Sequence, residues 1–129
     1  MNAAHPDGQV VMVVEDELLV AATLEAALED GGYHVLGPVA TVPAAIGLLR
    51  TSQPDVALID YRLATTTTET LLPSLKSRHI PVCVLTGYGA GQLPAAYAGL
   101  TVLEKPFRIK TLMATLSQIG SDNGPHAAT

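Results

Sequence analysis

Apolar residues along this chain gather into two kinds of run that take turns. Short stretches rich in β-branched residues, Gln9 to Glu15, His34 to Val39, Asp55 to Ile59, Ile80 to Leu85 and Thr101 to Glu104, alternate with Ala- and Leu-rich stretches of helical spacing. The first pattern predicts strands buried on both faces. The second predicts helices laid against them, so the whole reads as repeated βα units around a parallel sheet.

The helical stretches carry their own start and stop signals. A first helix is expected over Glu17 to Asp30, with Val20, Leu24, Ala27 and Leu28 on one face and Gly31-Gly32 as the stop. Thr41 offers an N-cap for a second helix, with Pro43 in its first turn and Ala44 to Arg50 continuing it until Pro54 forbids more. Thr66 and Glu69 have the spacing of a capping box for a third, with Leu71, Leu72 and Leu75 facing inward. A last helix is expected over Phe107 to Ile119, placing Ile109, Leu112, Met113 and Leu116 on one stripe. Between Gly87 and Gly99, glycines and Pro94 leave room only for a short helix near Pro94 to Ala98. One domain over residues 9–119 is expected, after a flexible segment over 1–8 and before a disordered tail over 120–129.

Composition narrows what this layer can do. The chain has 129 residues, 48% of them hydrophobic, yet one Phe, four Tyr and no Trp, so its core is built from Val, Leu, Ile and Ala. Seven basic residues against twelve acidic ones give a net charge of −5, and the basic residues form no patch that could follow a phosphate backbone, which argues against nucleic acid as a partner. Cys83 is the single cysteine and lies in the apolar run Val82 to Leu85, where it reads as a small buried hydrophobe. His5, His34, His79 and His126 are scattered without metal-ligand spacing. The beginning of the chain lacks the form of a signal peptide, and Glu15, Asp16 and Glu17 interrupt the apolar stretch from Val10 to Val20, so the expectation is a cytoplasmic protein with no membrane segment.

Chemistry enters where the strands end. A parallel sheet delivers the C-terminal ends of all its strands to one edge, which here gathers Glu15 and Asp16, Asp60, Thr86 and Lys105 from four strands. Three carboxylates held together repel one another unless a positive charge sits among them. Lys105 supplies part of that charge, and an oxygen-only donor set favours magnesium for the rest, an ion that completes its octahedron with waters and phosphate oxygens. An Asp carboxylate beside such an ion can attack phosphorus to form an acyl phosphate, with Thr86, Lys105 and backbone N–H groups as fixed donors. Single-residue readings are blander: Glu17 reads as a helix cap, and that reading is kept, while Lys105 alone reads as a surface lysine and Thr86 as a strand residue. For Lys105 and Thr86, as for Glu15, Asp16 and Asp60, the joint placement outweighs the bland reading.

The fragments Val13-Val14-Glu15-Asp16-Glu17, Leu58-Ile59-Asp60, Leu85-Thr86-Gly87 and Glu104-Lys105-Pro106-Phe107 occur in order, each at a predicted strand end. In them the chain resembles the receiver domain of two-component response regulators, over roughly Val10 to Ile119. The resemblance implies a flavodoxin-like (βα)5 fold, with a five-stranded parallel sheet in the order 2-1-3-4-5 and helices on both faces. It implies Asp60 as the phosphoacceptor, Glu15, Asp16, Asp60 and the Arg62 carbonyl as magnesium ligands, and Thr86 and Lys105 as phosphoryl contacts. Gly87 and Tyr61 would add backbone contacts, and Lys105-Pro106 would be a cis peptide. The phosphoryl donor would be a histidine kinase or histidine phosphotransfer protein. Output would pass to a downstream protein by contact, or the domain would act as a phosphate sink, with no attached output domain; a homodimer is compatible with the sequence.

Thr86-Gly87-Tyr88-Gly89, a Gly-rich stretch and Val102 to Phe107 together are similar to the single-domain FAT GUY receivers of alphaproteobacteria, linked to general stress signalling, although Val84-Leu85 replaces that motif's Phe-Ala. Val102 stands where most receivers carry a switching aromatic residue, and Tyr88 is a candidate substitute. The loop Tyr61-Arg62-Leu63-Ala64 lacks the family's usual proline and glycines. Arg62 and Tyr88 hold the two positions that tend to set how fast the acyl phosphate hydrolyses. Two rival functions remain: a binding module of the same fold that works without phosphorylation, and a magnesium-dependent phosphohydrolase, which would want an acid where Arg62 stands.

Overall fold

A computed structural model describes residues 8–87 and 89–123. Five strands form one parallel sheet: β1 (Val10–Val14), β2 (His34–Val39), β3 (Val56–Asp60), β6 (Val82–Thr86) and β7 (Thr101–Glu104), in the order β2-β1-β3-β6-β7. A two-residue antiparallel pair, β4 (Arg62–Leu63) and β5 (Thr66–Thr67), stands apart from it and accounts for the numbering. With that pair set aside, the order is the expected 2-1-3-4-5. The four α-helices among the described residues are α1 (Leu18–Asp30), α2 (Val42–Leu49), α3 (Leu72–Ser77) and α4 (Ile109–Asn123).

The alternation of side chains along each central strand sends residues to two cores. Val11 and Val13 of β1, Leu58 of β3, and Cys83 and Leu85 of β6 pack with Leu24 and Leu28 of α1 and Leu112 and Leu116 of α4. Met12, Val14, Ala57, Ile59, Val82 and Val84 point the other way, onto Ala45 and Leu49 of α2 and Leu71 and Leu75 near α3. β3 and β6 are buried along their whole length, as strands covered on both faces must be. Burying each Leu or Val contributes roughly 1.5–3 kcal/mol, so these two layers are what holds the strand ends in register.

The signals at helix ends met different fates. Thr41 caps α2 as expected, its Oγ1 accepting the Ala44 N–H at 3.2 Å, with Pro43 in the first turn. Gly32, at φ +94°, follows α1 as its stop. Glu17, however, makes no side-chain cap; the Glu17 N–H donates instead to Glu15 Oε2 at 3.1 Å. The capping box of Thr66 and Glu69 is also absent. Thr66 pairs with Leu63 in the small hairpin, Thr67 Oγ1 accepts the Glu69 N–H at 3.3 Å, and the chain passes through a 3-10 turn at Glu69–Leu71 before α3 begins. α4 begins at Ile109 and runs on past Ile119 to Asn123. Among its described residues, the segment from β6 to β7 holds two 3-10 turns, Ala90–Gln92 and Ala95–Tyr97, in keeping with the irregular fourth helical unit expected there.

One glycine shapes the edge of the sheet. The β1–β2 register shifts between Met12 and Val14, opposite Gly37, whose φ of +101° and close neighbours leave no space for a Cβ: it would meet Val39 N at 2.9 Å and Val13 O at 3.0 Å. The kink delivers the Val39 carbonyl to the Glu15 N–H at 2.9 Å. It thereby fixes the backbone of a candidate site residue.

Candidate functional site

The order of strands reverses between β1 and β3, and in open α/β sheets that is where ligands settle, beyond the carboxyl ends. β1 runs out into Glu15 and Asp16, and β3 ends on Asp60. β6 ends on Thr86, whose carbonyl accepts the Lys105 N–H at 2.8 Å, so the residue after β7 is tied to the same edge. The structure thus brings the side chains of Glu15, Asp16, Asp60 and Lys105 together and sets Thr86 at the same sheet edge. Glu15, Asp60 and Thr86 are buried.

Carboxylate oxygens of Glu15, Asp16 and Asp60 lie within 4.8 Å of one another. Lys105 Nζ sits 3.2 Å from Glu15 Oε1 and donates to Asp60 Oδ2 at 3.1 Å. It is nearer still to Asp60 Oδ1, at 2.9 Å, but off the hydrogen-bond axis. We take this as an ion pair to the whole carboxylate with one directed bond, which leaves the buried Oδ1 with no hydrogen-bond donor aimed at it. Asp16 faces outward from the trio and accepts the Ala64 N–H through Oδ2 at 2.7 Å.

Burial pushes the Asp60 carboxyl up to about 7; its hydrogen bond from Lys105 pulls the other way, and the neighbouring Glu15 adds to the rise. Burial alone would lower the Lys105 ammonium, yet its bonds and charge interactions with Asp60 and Glu15 outweigh that and hold it raised. One ammonium is therefore not enough to hold the Asp60 carboxyl in the ordinary carboxylate range. Oxygen-only donors, excess negative charge and a buried oxygen lacking a donor fit a hard divalent cation such as magnesium.

The remaining expectations divide. Lys105-Pro106 is cis. The Arg62 backbone opens the small hairpin, and its guanidinium lies 5.9 Å from the centre of the Tyr61 ring. Tyr61 N–H, expected to touch the phosphoryl group, donates to Leu85 O at 2.8 Å and is already engaged by the sheet. Gly87 follows β6 at the exposed rim of the site. Tyr88 lies outside the described residues, as do 1–7 and 124–129 of the expected tails. No helix among the described residues is long and apolar enough to cross a membrane.

Sequence reasoning missed one residue beside the site. Thr68 is fully buried, and its Oγ1 donates to the Asp60 carbonyl at 2.7 Å while meeting the Tyr97 hydroxyl at 2.8 Å. Within a run of four threonines it carried no signal of its own; only Tyr97, far along the chain, distinguishes it.

Residues 11–117 match the response regulator receiver domain family. The chain belongs to that family. Among curated relatives of this receiver is the phyllosphere-induced regulator PhyR of Methylorubrum extorquens, 30% identical over 115 residues, covering 84% of this chain and 42% of that protein. A protein-glutamate methylesterase/protein-glutamine glutaminase of Anaeromyxobacter dehalogenans is 35% identical over 103 residues, covering 74% of this chain and 28% of that enzyme. The receiver thus spans less than half the length of either. Among solved structures, PhyR of Bartonella quintana, described as an anti-anti-sigma factor, superposes with a TM-score of 0.79 at 25% identity, covering 94% of this chain and 52% of that one. The receiver domain of a sensor histidine kinase from Pseudomonas aeruginosa, with a magnesium ion coordinated in its active site cleft, gives 0.75 at 27% identity, covering 87% of this chain and 98% of that one.

Proposed function

We propose that this receiver accepts a phosphoryl group on Asp60 from a phosphohistidine of a kinase or phosphotransfer protein and signals by protein–protein contact. The observation that supports it most is the buried Asp60 carboxylate, paired with Lys105 and clustered with two further carboxylates, with one oxygen left for a ligand. Glu15, Asp16 and Asp60, with the Arg62 carbonyl, would hold magnesium. When bound, that ion neutralises the carboxylates and the equatorial phosphoryl oxygens. An Asp60 oxygen forms the new O–P bond as the N–P bond of the phosphohistidine breaks, and the departing imidazole takes up a proton. Lys105, already 2.9 Å from Asp60 Oδ1, stays as countercharge to the acyl phosphate, and Thr86 at the end of β6 offers its hydroxyl to a phosphoryl oxygen.

Position 62 carries a base, which removes the acid a phosphohydrolase would use. The likeness to PhyR proteins supports a place in stress signalling, with a regulatory protein as the downstream partner. Incubation with acetyl phosphate and magnesium, followed by intact-mass measurement, tests the reading. One acid-stable, base-labile adduct per chain that is absent from Asp60→Asn is expected. No adduct, or one that persists in that variant, removes the phosphoacceptor role and leaves a phosphorylation-independent binding module.

A further inference from the structure

The hydroxyls of Thr68 and Tyr97 meet at 2.8 Å in a buried setting, and proton counting gives the contact a direction. Thr68 Oγ1 has a single hydrogen, and both backbone oxygens it reaches, Asp60 O at 2.7 Å and Tyr61 O at 3.3 Å, can only accept. The Thr68 proton therefore goes to a carbonyl, and the Tyr97 hydroxyl must be the donor to Thr68. The result is a directed chain, Tyr97 O–H to Thr68 O–H to Asp60 C=O, in which each bond polarises the next.

Both hydroxyl-bearing residues of that chain are anchored. Thr68 N–H donates to Tyr61 O at 3.0 Å, closing the loop after β3 on itself. The Tyr97 ring is buried in the core and stands edge-on to the Tyr61 ring, with centroids 5.2 Å apart and planes at 88°. Tyr97 also closes the 3-10 turn Ala95–Tyr97, where its N–H donates to Pro94 O at 2.9 Å and its carbonyl accepts from Leu100 N–H at 3.2 Å. A movement of the Asp60 backbone thus reaches the segment between β6 and β7 in two hydrogen bonds, without passing through β7, where the Val102 side chain offers no polar atom to carry it.

Building on the proposed phosphorylation of Asp60, we propose that Thr68 and Tyr97 are positioning residues. They hold the Asp60 backbone and convey its phosphorylation to the face formed by residues 95–100. The protected amides of Tyr97, Ala98 and Leu100 report on that face.

Hydrogen exchange at those amides is to be compared with and without acetyl phosphate and magnesium, with the Asp60 adduct quantified by mass in the same samples. In the unaltered protein their exchange changes on phosphorylation. Tyr97→Phe keeps the ring and removes only the donor, and the change shrinks roughly two- to tenfold, the range one neutral hydrogen bond commands, although the adduct still forms. Thr68→Val matches that loss, Thr68→Ser restores the response, and the double variant Thr68→Val with Tyr97→Phe goes no further than either single change. An unaltered response in Tyr97→Phe, additive losses in the double variant, or silence at the three amides in a fully phosphorylated protein would overturn the link while leaving the phosphoacceptor intact. No adduct in the unaltered protein overturns both.

Discussion

Asp16 Oδ2 accepts the backbone N–H of Ala64 at 2.7 Å, so one carboxylate of the acidic trio also holds the loop that follows β3. Ala64 sits at φ +33°, a conformation non-glycine residues rarely adopt, and the hydrogen bond helps to keep it there. The two duties of Asp16 are separable. Asp16→Asn keeps an acceptor oxygen for Ala64 but loses the charge; Asp16→Ala loses both. Thermal unfolding without metal should therefore show a loss of about 1 kcal/mol in the alanine variant and little change in the asparagine variant. The gain in Tm on adding magnesium should fall sharply in both. An asparagine variant that keeps the full magnesium effect would remove Asp16 from the ligand set.

Asp60 makes metal-free stability depend on pH in a definite direction. Its folded pKa of about 7 exceeds the ordinary carboxylate value of 3.8, mainly because of burial. The folded state then holds a proton that the unfolded state has lost, so the contribution is fully present below about pH 4 and disappears as pH rises through about 7. In EDTA, Asp60→Asn should be more stable than the unaltered protein at about pH 8, by on the order of 1–3 kcal/mol, with the advantage shrinking toward about pH 5. Magnesium binds the carboxylate form and opposes the trend, so its Tm gain should be larger at about pH 8 than at about pH 5. Denaturation curves at the two pH values, with EDTA and with magnesium, decide it; a gap that widens toward low pH has the wrong sign.

Cys83 is fully buried in β6, and burial pushes its thiol up to about 12. Below that range it stays a thiol and shows no thiolate to an alkylating agent. Labelling by iodoacetamide at about pH 8 should therefore follow opening of the sheet, and any variant that lowers global stability should speed it in proportion. Fast labelling of the native protein would contradict the burial.

Arg62 lies at the exposed start of the small hairpin, two residues beyond Asp60. A bulky group there hinders water on its way to the acyl phosphate, so Arg62→Ala should shorten the phosphoryl lifetime, by roughly two- to fivefold for a barrier change within 1 kcal/mol. Timed mass measurements after removal of the phosphodonor give the rate. A lifetime that is unchanged or longer would show that Arg62 does not shield the phosphorus.

The βα alternation and the site side chains were legible because each is a local pattern placed by a repeating rule. β-branched runs such as Val56 to Ile59 mark strands, strand ends share an edge, and the acidic pair, Asp60, Thr86 and Lys105 fall on it. What stayed hidden depends on contacts distant in sequence. Thr68 looked like its three threonine neighbours, and the hydroxyl it meets belongs to Tyr97, 29 residues away. Glu17 stands at the N-cap position of α1, yet its side chain makes no cap; its own N–H is taken by Glu15, whose N–H is in turn held by the Val39 carbonyl. The engaged Tyr61 N–H was equally invisible, since only the pairing of β3 with β6 commits it.

Gly37 bears on how freely this sequence could drift. Exposed positions on an edge strand ordinarily accept almost any residue, and a saturation scan of His34–Val39 should be permissive at exposed His34 and restrictive at Val35, Leu36 and Val39, which pack against the cores. At position 37 the tolerance ends, because the positive φ and two backbone atoms at about Cβ distance reject alanine as firmly as tryptophan. The least conspicuous residue of the strand is thereby its most restricted, and lineages that altered it would have had to rebuild the turn that steadies Glu15.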